Sequence, residues 1–334
     1  MGIISEKKGG FMKTNVLLLS AGRRVELVKC FQNAAKKLKI DSKLVAADLS
    51  DTAPALYFSD KAYQIPRIGT TGYLEKIMEI CEQEEIGLIV PTIDTELLIL
   101  AENKQLLEEK TGAKVLVSNL PVIKICRDKI KSQEFFEENG FLVPGRITDT
   151  EKEEFSYPVF IKPLDGSSSI NAFQVNNKKE LDFFKEYIKN PIIQEFIRGE
   201  EYTVDVFLDF DSNILSIVPR RRIAVRSGEI AKGEIIKDRE IIEEVRRLME
   251  VLKPIGHITV QCMKTEKGIS FIEINPRFGG GAPMSIEAGA DSCEKLYRLM
   301  QGEALEYRED YRENLLFLRF DSSVILDENK VVIR

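Results

Sequence analysis

From the apolar run at 15–19 to KVLVS at 114–118, strand-like and helix-like stretches take turns, and few folds accept that order. The strand candidates are the run at 15–19, KLVAAD (43–48), GLIVPT (87–92) and KVLVS. Each is short and apolar without alternation, the pattern of a strand covered on both faces. Between the first two, Leu27, Val28, Phe31, Ala34, Ala35 and Leu38 recur at helical spacing, and further helices are expected near 72–84 and 95–110. Strands separated by helices imply right-handed βαβ units and a parallel, doubly wound sheet. A first domain is therefore expected over 13–121.

The pattern changes after Pro121. A helix over 122–139, the strand YPVFIKP (157–163), the small-residue loop DGSSSINAF (165–173), a return strand at QVN and a helix over 178–189 read as a small subdomain, 122–192. IIQEFI (192–197), EYTVDVFLD (201–209), ILSIVP (214–219), a helix over 238–253 and the pair ITVQCMK (258–264) and GISFIEI (268–274) read as a second sheet, mostly antiparallel. With a tail helix at 293–301 and a strand within 314–326, they make a larger subdomain, 193–334. A chain of 334 residues suits such a division. At that size it buries roughly 75% of its unfolded surface without a disulfide or metal staple.

Charge and cysteine usage exclude several function classes. The net charge is −6, with both signs interspersed, so no general affinity for nucleic acid or membrane is expected. No apolar run approaches the ~20 residues of a membrane span. MGIISEKKGGF has no apolar centre of a signal peptide, so residues 1–12 read as a disordered lead-in with Met12 as an alternative start. Cys30, Cys81, Cys126, Cys262 and Cys293 are far apart, odd in number and contain no CxxC, which fits a reduced, cytoplasmic protein. His257 is the only histidine, so a His-rich metal site is excluded and any Ser-His-Asp triad depends on it.

Five stretches carry possible chemistry. In FIEINPRFGGGAP (271–283), strand alternation puts Glu273 and Asn275 on one face and Ile272 and Ile274 on the other. If ITVQCMK pairs through the turn around TEKG, Gln261 can join the polar face. Three oxygen donors there suit Mg²⁺, although a half-exposed strand edge accounts for the pair equally well. In VFIKPLDGSSSINAF, Lys162 precedes a Gly/Ser loop whose backbone N–H groups can cradle phosphate; a surface hairpin is the alternative. Lys129, in the first turn of a helix, reads by itself as solvated. In IIQEFIRGEEYTVDVF, the extended stretch Gln194–Ile197 can meet adenine through its backbone and Glu201 can meet ribose hydroxyls, or the segment is an ordinary hairpin. In VPRRRIAVRSGE, a regular strand places Arg220, Arg222 and Arg226 on one face, where arginine forks suit carboxylate or phosphate, while Arg221 reads as solvated. Arg23 and Arg24 of SAGRR stand where an open parallel sheet can bind an anion; Asp48, Asp94 and Glu96 read as well as helix caps.

In this order and spacing, RDK (127–129), VFIKPLDGSSS (159–169), QEFIRGEEYTVDV (194–206), ITVQ (258–261) and FIEINPRFGGG (271–281) resemble the ATP-grasp superfamily. The likeness is to the ATP-binding halves of the carbamoyl phosphate synthetase large subunit and to stand-alone carboxylate–amine ligases, over about residues 13–300. It implies an α/β preATP-grasp domain followed by an ATP-grasp fold of two α+β subdomains. It implies ATP with Mg²⁺ or Mn²⁺, and small-molecule carboxylate and amine substrates; it allows a homodimer. Lys129 and Lys162 would contact the nucleotide phosphates, Lys162 reaching toward the adenine side, and Gly166, Ser167, Ser168 and Ser169 would lie in a mobile phosphate lid. Gln194, Glu195, Phe196 and Ile197 would hold adenine and Glu201 the ribose. Gln261, Glu273 and Asn275 would be the metal ligands, and Arg277 would stabilise the transferring phosphoryl group, with Arg222 and Arg226 on the acid.

The implied chemistry forms an acyl phosphate that an amine attacks. A single ATP-grasp unit argues against true carbamoyl phosphate synthesis. A non-catalytic ATP-binding protein would not need the intact set of Lys129, Lys162, Gln261, Glu273, Asn275 and Arg277. A nicotinamide-dependent oxidoreductase would need a glycine fingerprint that this sequence lacks.

Overall fold

The computed structural model describes residues 13–151, 155–164, 170–226 and 228–333. In chain order the elements begin with β1 (Asn15–Leu19), α1 (Val25–Leu38), β2 (Leu44–Asp48), β3 (Lys61–Gln64), α2 (Tyr73–Gln83), β4 (Ile86–Pro91), α3 (Asp94–Glu102), α4 (Lys104–Thr111) and β5 (Lys114–Val115). They continue with α5 (Leu120–Arg127), α6 (Lys129–Glu138), β6 (Arg146–Ile147), β7 (Val159–Pro163), β8 (Phe173–Val175), α7 (Lys178–Tyr187) and β9 (Pro191–Glu195). The remainder is β10 (Glu200–Leu208), β11 (Ile214–Arg226), β12 (Glu229–Ile235), α8 (Arg239–Leu252), β13 (Gly256–Thr265), β14 (Gly268–Asn275), α9 (Ala282–Glu287), α10 (Ser292–Met300) and β15 (Leu315–Leu318).

The first sheet has the order β3-β2-β1-β4-β5, with β1–β2, β2–β3 and β4–β5 parallel. This is the doubly wound sheet the alternation implies, with the order reversing between β1 and β4. Strand β3, KAYQ, has no apolar run and went unexpected; it is an exposed edge. Two helices expected as single pieces are each broken. The stretch at 95–110 divides at Asn103 into α3 and α4. The stretch at 122–139 divides at Asp128, which is extended (φ −114°, ψ 114°). Its carboxylate accepts from the N–H groups of Ile130 and Lys131, so a good capping residue restarts the helix one position before Lys129.

Two further sheets are antiparallel. One is six-stranded, β14-β13-β10-β11-β12-β15, and the other four-stranded, β6-β9-β7-β8. Helix α8 buries Ile241, Ile242, Val245, Leu248, Met249 and Leu252 along one stripe. They pack on Val204, Val206, Ile258 and Val260 from one face of the six-stranded sheet, each contributing roughly 1.5–3 kcal/mol. Phe136 of α6 stacks on Phe271 of β14 (5.3 Å between ring centroids), extending that core beneath α6.

The chain divides into two compact units that are not contiguous in sequence. One comprises residues up to 90, 103–115 and 293–304; the other holds 91–102, 116–292 and 305 onward. The expected division at 121 and 192 misses this exchange. From Cys293 onward, α10 belongs to the first unit: Tyr297 meets Phe31 edge-on at 6.2 Å and its hydroxyl lies 3.1 Å from Ser42 Oγ. Conversely α3, which begins at Asp94, belongs to the second unit. Among the described residues no helix is long and apolar enough to cross a membrane.

Candidate active site

The second unit's six-stranded sheet has two unlike faces. Tyr202, Val204 and Val206 of β10, with Ile258, Val260 and Cys262 of β13, face α8 and are buried. The alternate positions are polar: Glu201, Thr203 and Asp205 of β10, Thr259 and Gln261 of β13, and Glu273 and Asn275 of β14. Gln261 pairs directly with Glu273 and Thr259 with Asn275, so the cross-strand register brings all three expected metal ligands to one face. The hairpin turns at Thr265–Gly268, where Gly268 has φ +117°. A register shift beside Gln261 corrects one expectation. It lets Ile272 line the cavity next to Glu273, while Ile274 stays in the core.

That cavity, about 330 Å³, lies in the second unit between the two antiparallel sheets. Lys129, Lys162, Gln194, Glu195, Phe196, Ile197, Glu201, Gln261 and Glu273 all border it. Phe160, Ile170, Ala172, Met263 and Ile272 supply apolar walls. A cavity with apolar walls, an extended backbone segment and charged groups on its border fits a planar ring carrying an anionic tail. The Glu195 N–H is donated to the Gly145 carbonyl at 2.8 Å, so a ring would be met through the remaining groups of 195–197.

The charged groups are tightly organised. Lys129 Nζ donates to the carbonyls of Pro163 (2.9 Å) and Leu164 (2.8 Å), the last described residues before 165. Burial pushes the Lys162 ammonium down to about 8; Glu273 opposes that fall and Lys129 adds to it. Asn275 Nδ2 donates to Glu273 Oε1. Arg277 Nη2 donates to Asn275 Oδ1 (3.1 Å), and Nη2 and Nε both donate to Asp94 Oδ2 (2.6 and 3.2 Å). Arg222 donates to Thr203 Oγ1 (3.2 Å) and the Gly228 carbonyl (3.0 Å), and its Nε lies 3.2 Å from Glu201 Oε1. The sequence assigned Arg222 and Glu201 to different ligands; the fold makes them an ion pair.

Other expectations are corrected. Arg226 does not share a face with Arg220 and Arg222: register shifts on β11 between Arg222 and Val225 break the alternation. Its side chain is 74% exposed and pairs with Asp321 at 2.7 Å. Arg220 is spent on Asp205, donating through Nε (2.7 Å) and Nη2 (3.0 Å) with both side chains buried. Burial pushes the Asp205 carboxyl up, but the Arg220 guanidinium and His257 outweigh it and hold it well below the usual carboxylate range. Gly166, Ser167, Ser168 and Ser169 lie outside the described residues.

His257 has Ser292 Oγ 3.2 Å from Nδ1 and Asp205 Oδ1 3.4 Å from Nε2, a Ser–His–Asp array in outline. All three side chains are buried, Phe278 stacks on the imidazole at 4.3 Å, and Asp205 is committed to Arg220 and Ser285. The array is therefore structural. It also explains the glycine run: a Cβ on Gly279 would come 2.7 Å from Thr259 Oγ1, and one on Gly281 2.4 Å from Arg220 Nη1. Without side chains the segment after Arg277 can lie on this polar layer.

Two models match in tandem: the PylC-like N-terminal domain over residues 16–116 and the ATP-grasp domain over residues 126–281. Residues 126–281 form an ATP-grasp domain. That domain contains the whole cavity described above. A D-alanine–D-alanine ligase of Fusobacterium nucleatum is 31% identical over 144 residues, 43% of this chain and 48% of that protein. A 3-methyl-D-ornithine–L-lysine ligase of Methanosarcina mazei is 28% identical over 233 residues, 66% and 59% respectively. The chain thus spans about half the length of the first relative and somewhat more of the second. The biotin carboxylase domain of Hydrogenobacter thermophilus 2-oxoglutarate carboxylase, solved with MgADP, ADP and bicarbonate, shares the fold. Its TM-score is 0.70 at 22% identity, over 92% of this chain and 74% of that one.

The donor set bears on the metal. Among the described residues no three His, Cys, Asp or Glu side chains group as for a metal ion. Gln261, Glu273 and Asn275 offer one carboxylate and two amides. That is too little charge to strip a bare Mg²⁺ of water, but it fits an ion that arrives on a polyphosphate and keeps several waters.

Proposed function

We propose that this chain is an ATP- and Mg²⁺-dependent ligase that activates a carboxylate as an acyl phosphate for attack by an amine. The observation that carries this reading is the meeting of Lys162, Gln261 and Glu273 on the wall of the cavity that the 194–197 segment borders. The adenine ring would lie between the apolar walls against 194–197, with the ribose at Glu201. Gln261, Glu273 and Asn275 would hold Mg²⁺, or Mn²⁺. Held there, such an ion would offset the charge that develops on the terminal phosphates.

In the first step a carboxylate oxygen of the acid attacks the γ-phosphorus, the β–γ bridging P–O bond breaks and ADP leaves. In the second the amine attacks the acyl carbon, the C–O bond to phosphate breaks, and nitrogen loses a proton. Lys129, Lys162 and Arg277 supply positive charge around the transferring group, which needs positioning and electrostatics rather than a side-chain nucleophile. Arg222, beside Glu201, is the candidate contact for the acid. Both relatives named above are ligases joining amino acids, which supports an amino-acid-like acid or amine here. The biotin carboxylase domain was solved as a dimer, which supports a homodimer. The free cysteines, with burial pushing the Cys81 and Cys262 thiols up to about 12, fit a reducing cytoplasm.

The test is a screen of amino-acid pairs for ADP release, with product mass as confirmation. ADP should form only when acid and amine are both present, with a product equal to their condensation. ATP binding with no pair-dependent turnover across a broad panel would favour a non-catalytic ATP-binding protein.

Nucleotide binding should also take up protons near pH 8. With Lys162 at about 8, about half of the free protein is protonated there, and a phosphate tail favours the charged form. Titration calorimetry of MgADP in buffers of different ionisation enthalpy should show uptake on the order of half a proton, and affinity should fall from pH 7 to pH 9. Lys162→Met should abolish the uptake; uptake unchanged in that variant would remove Lys162 from the phosphate site.

A further inference from the structure

We propose that Asp94 is a positioning residue that aligns the Arg277 guanidinium with the terminal phosphate of a bound nucleotide; this rests on the ligase reading above. Asp94 is the first residue of α3, and its partner lies 183 positions away in sequence. One carboxylate oxygen, Oδ2, takes both Nε and Nη2 of Arg277 at 3.2 and 2.6 Å. Nη2 also reaches Asn275 Oδ1 at 3.1 Å, and Asn275 donates onward to Glu273. The result is a continuous line from Asp94 through Arg277 and Asn275 to the carboxylate bordering the cavity. Nη1 has a weaker hold, 3.4 Å to the Phe278 carbonyl, and is the least committed edge of the fork.

The two side chains are only 14% and 15% exposed, so their attraction is less screened than that of a surface pair. An arginine free to sample its rotamers would have to be ordered when the nucleotide arrives. One already fixed by a carboxylate avoids that cost, and the alignment improves contact with the terminal phosphate in particular.

The test uses calorimetry with two ligands, MgADP and the magnesium complex of a non-hydrolysable β,γ-imido ATP analogue, and reads the ratio of their affinities. Arg277→Ala should lower the preference for the analogue about tenfold, the loss of a charge-assisted contact to the γ-phosphate. Asp94→Asn should lower it roughly three- to fivefold, and Asp94→Glu should recover most of that. In an Arg277→Ala background Asp94→Asn should change nothing further, because its effect runs through the missing arginine. The proposal is overturned if Asp94→Asn keeps the wild-type ratio while lowering only thermal stability, or acts equally with and without Arg277. If Arg277→Ala itself leaves the ratio unchanged, the phosphate role of Arg277 in the ligase reading fails, and this proposal with it.

Discussion

Glu273→Ala is expected to reduce ADP formation by about 10³-fold, several kcal/mol of lost charge stabilisation, while the protein stays folded. Glu273 is the one carboxylate among the three donors that cross-strand pairing brings together. Gln261 and Asn275 cannot replace its charge. The side chain is half-buried and borders the cavity rather than the α8 core, so the fold has little to lose. The variant has a second signature. Glu273 holds the Lys162 ammonium up against burial, so its removal should drop that group further below about 8 and move the proton uptake on nucleotide binding to lower pH. Turnover with the acid–amine pair, circular dichroism and the calorimetric proton count check the three parts. Wild-type turnover in a folded variant would refute the metal assignment.

Arg220→Ala is expected to destabilise the second unit by about 3–5 kcal/mol, the usual cost of stranding one member of a buried ion pair. Asp205 would keep Ser285 and His257 but lose both guanidinium bonds, with its side chain 2% exposed. The pH dependence gives the mechanism away. Asp205's folded pKa is depressed, so its contribution is fully present above the ordinary carboxylate value of about 3.9 and is lost as pH falls below it. In Arg220→Ala burial instead favours the neutral acid, so the deficit should shrink as pH is lowered from 7 toward 4. Urea unfolding at several pH values measures this. A deficit below 1 kcal/mol at pH 7 would mean the pair is not the keystone of the polar layer. A deficit that does not change with pH would trace the loss to packing rather than charge.

What was legible in the sequence had a local period behind it. The 2-residue repeat put Glu273 and Asn275 on one face; Gln261 joins them only through the bulge on β14, since an unbroken register from Thr265–Gly268 would set it opposite Ile272. Alternation of strands and helices specified the parallel sheet. Interruptions of the period were not legible. Extra residues on β11 and β14 sent Arg226 outward and Ile272 inward, and a bulge leaves no mark on composition. Long-range pairing was invisible as well. Asp94 read as a helix cap because its arginine is remote in the chain, and Arg220 read as a ligand fork because nothing nearby shows that Asp205 claims it.

The exchange between the two units has a consequence during synthesis. In the first unit Tyr297 packs against Phe31 and Glu294 pairs with Lys37 at 2.5 Å, yet those partners are made long after the parallel sheet. At ordinary translation speeds roughly ten to forty seconds separate the end of the parallel sheet from the arrival of α10. Over that interval the nascent amino-terminal half stands with one flank uncovered, as a chaperone client would. A stop codon placed after residue 292 should therefore leave both halves poorly soluble, although it removes none of the residues bordering the cavity.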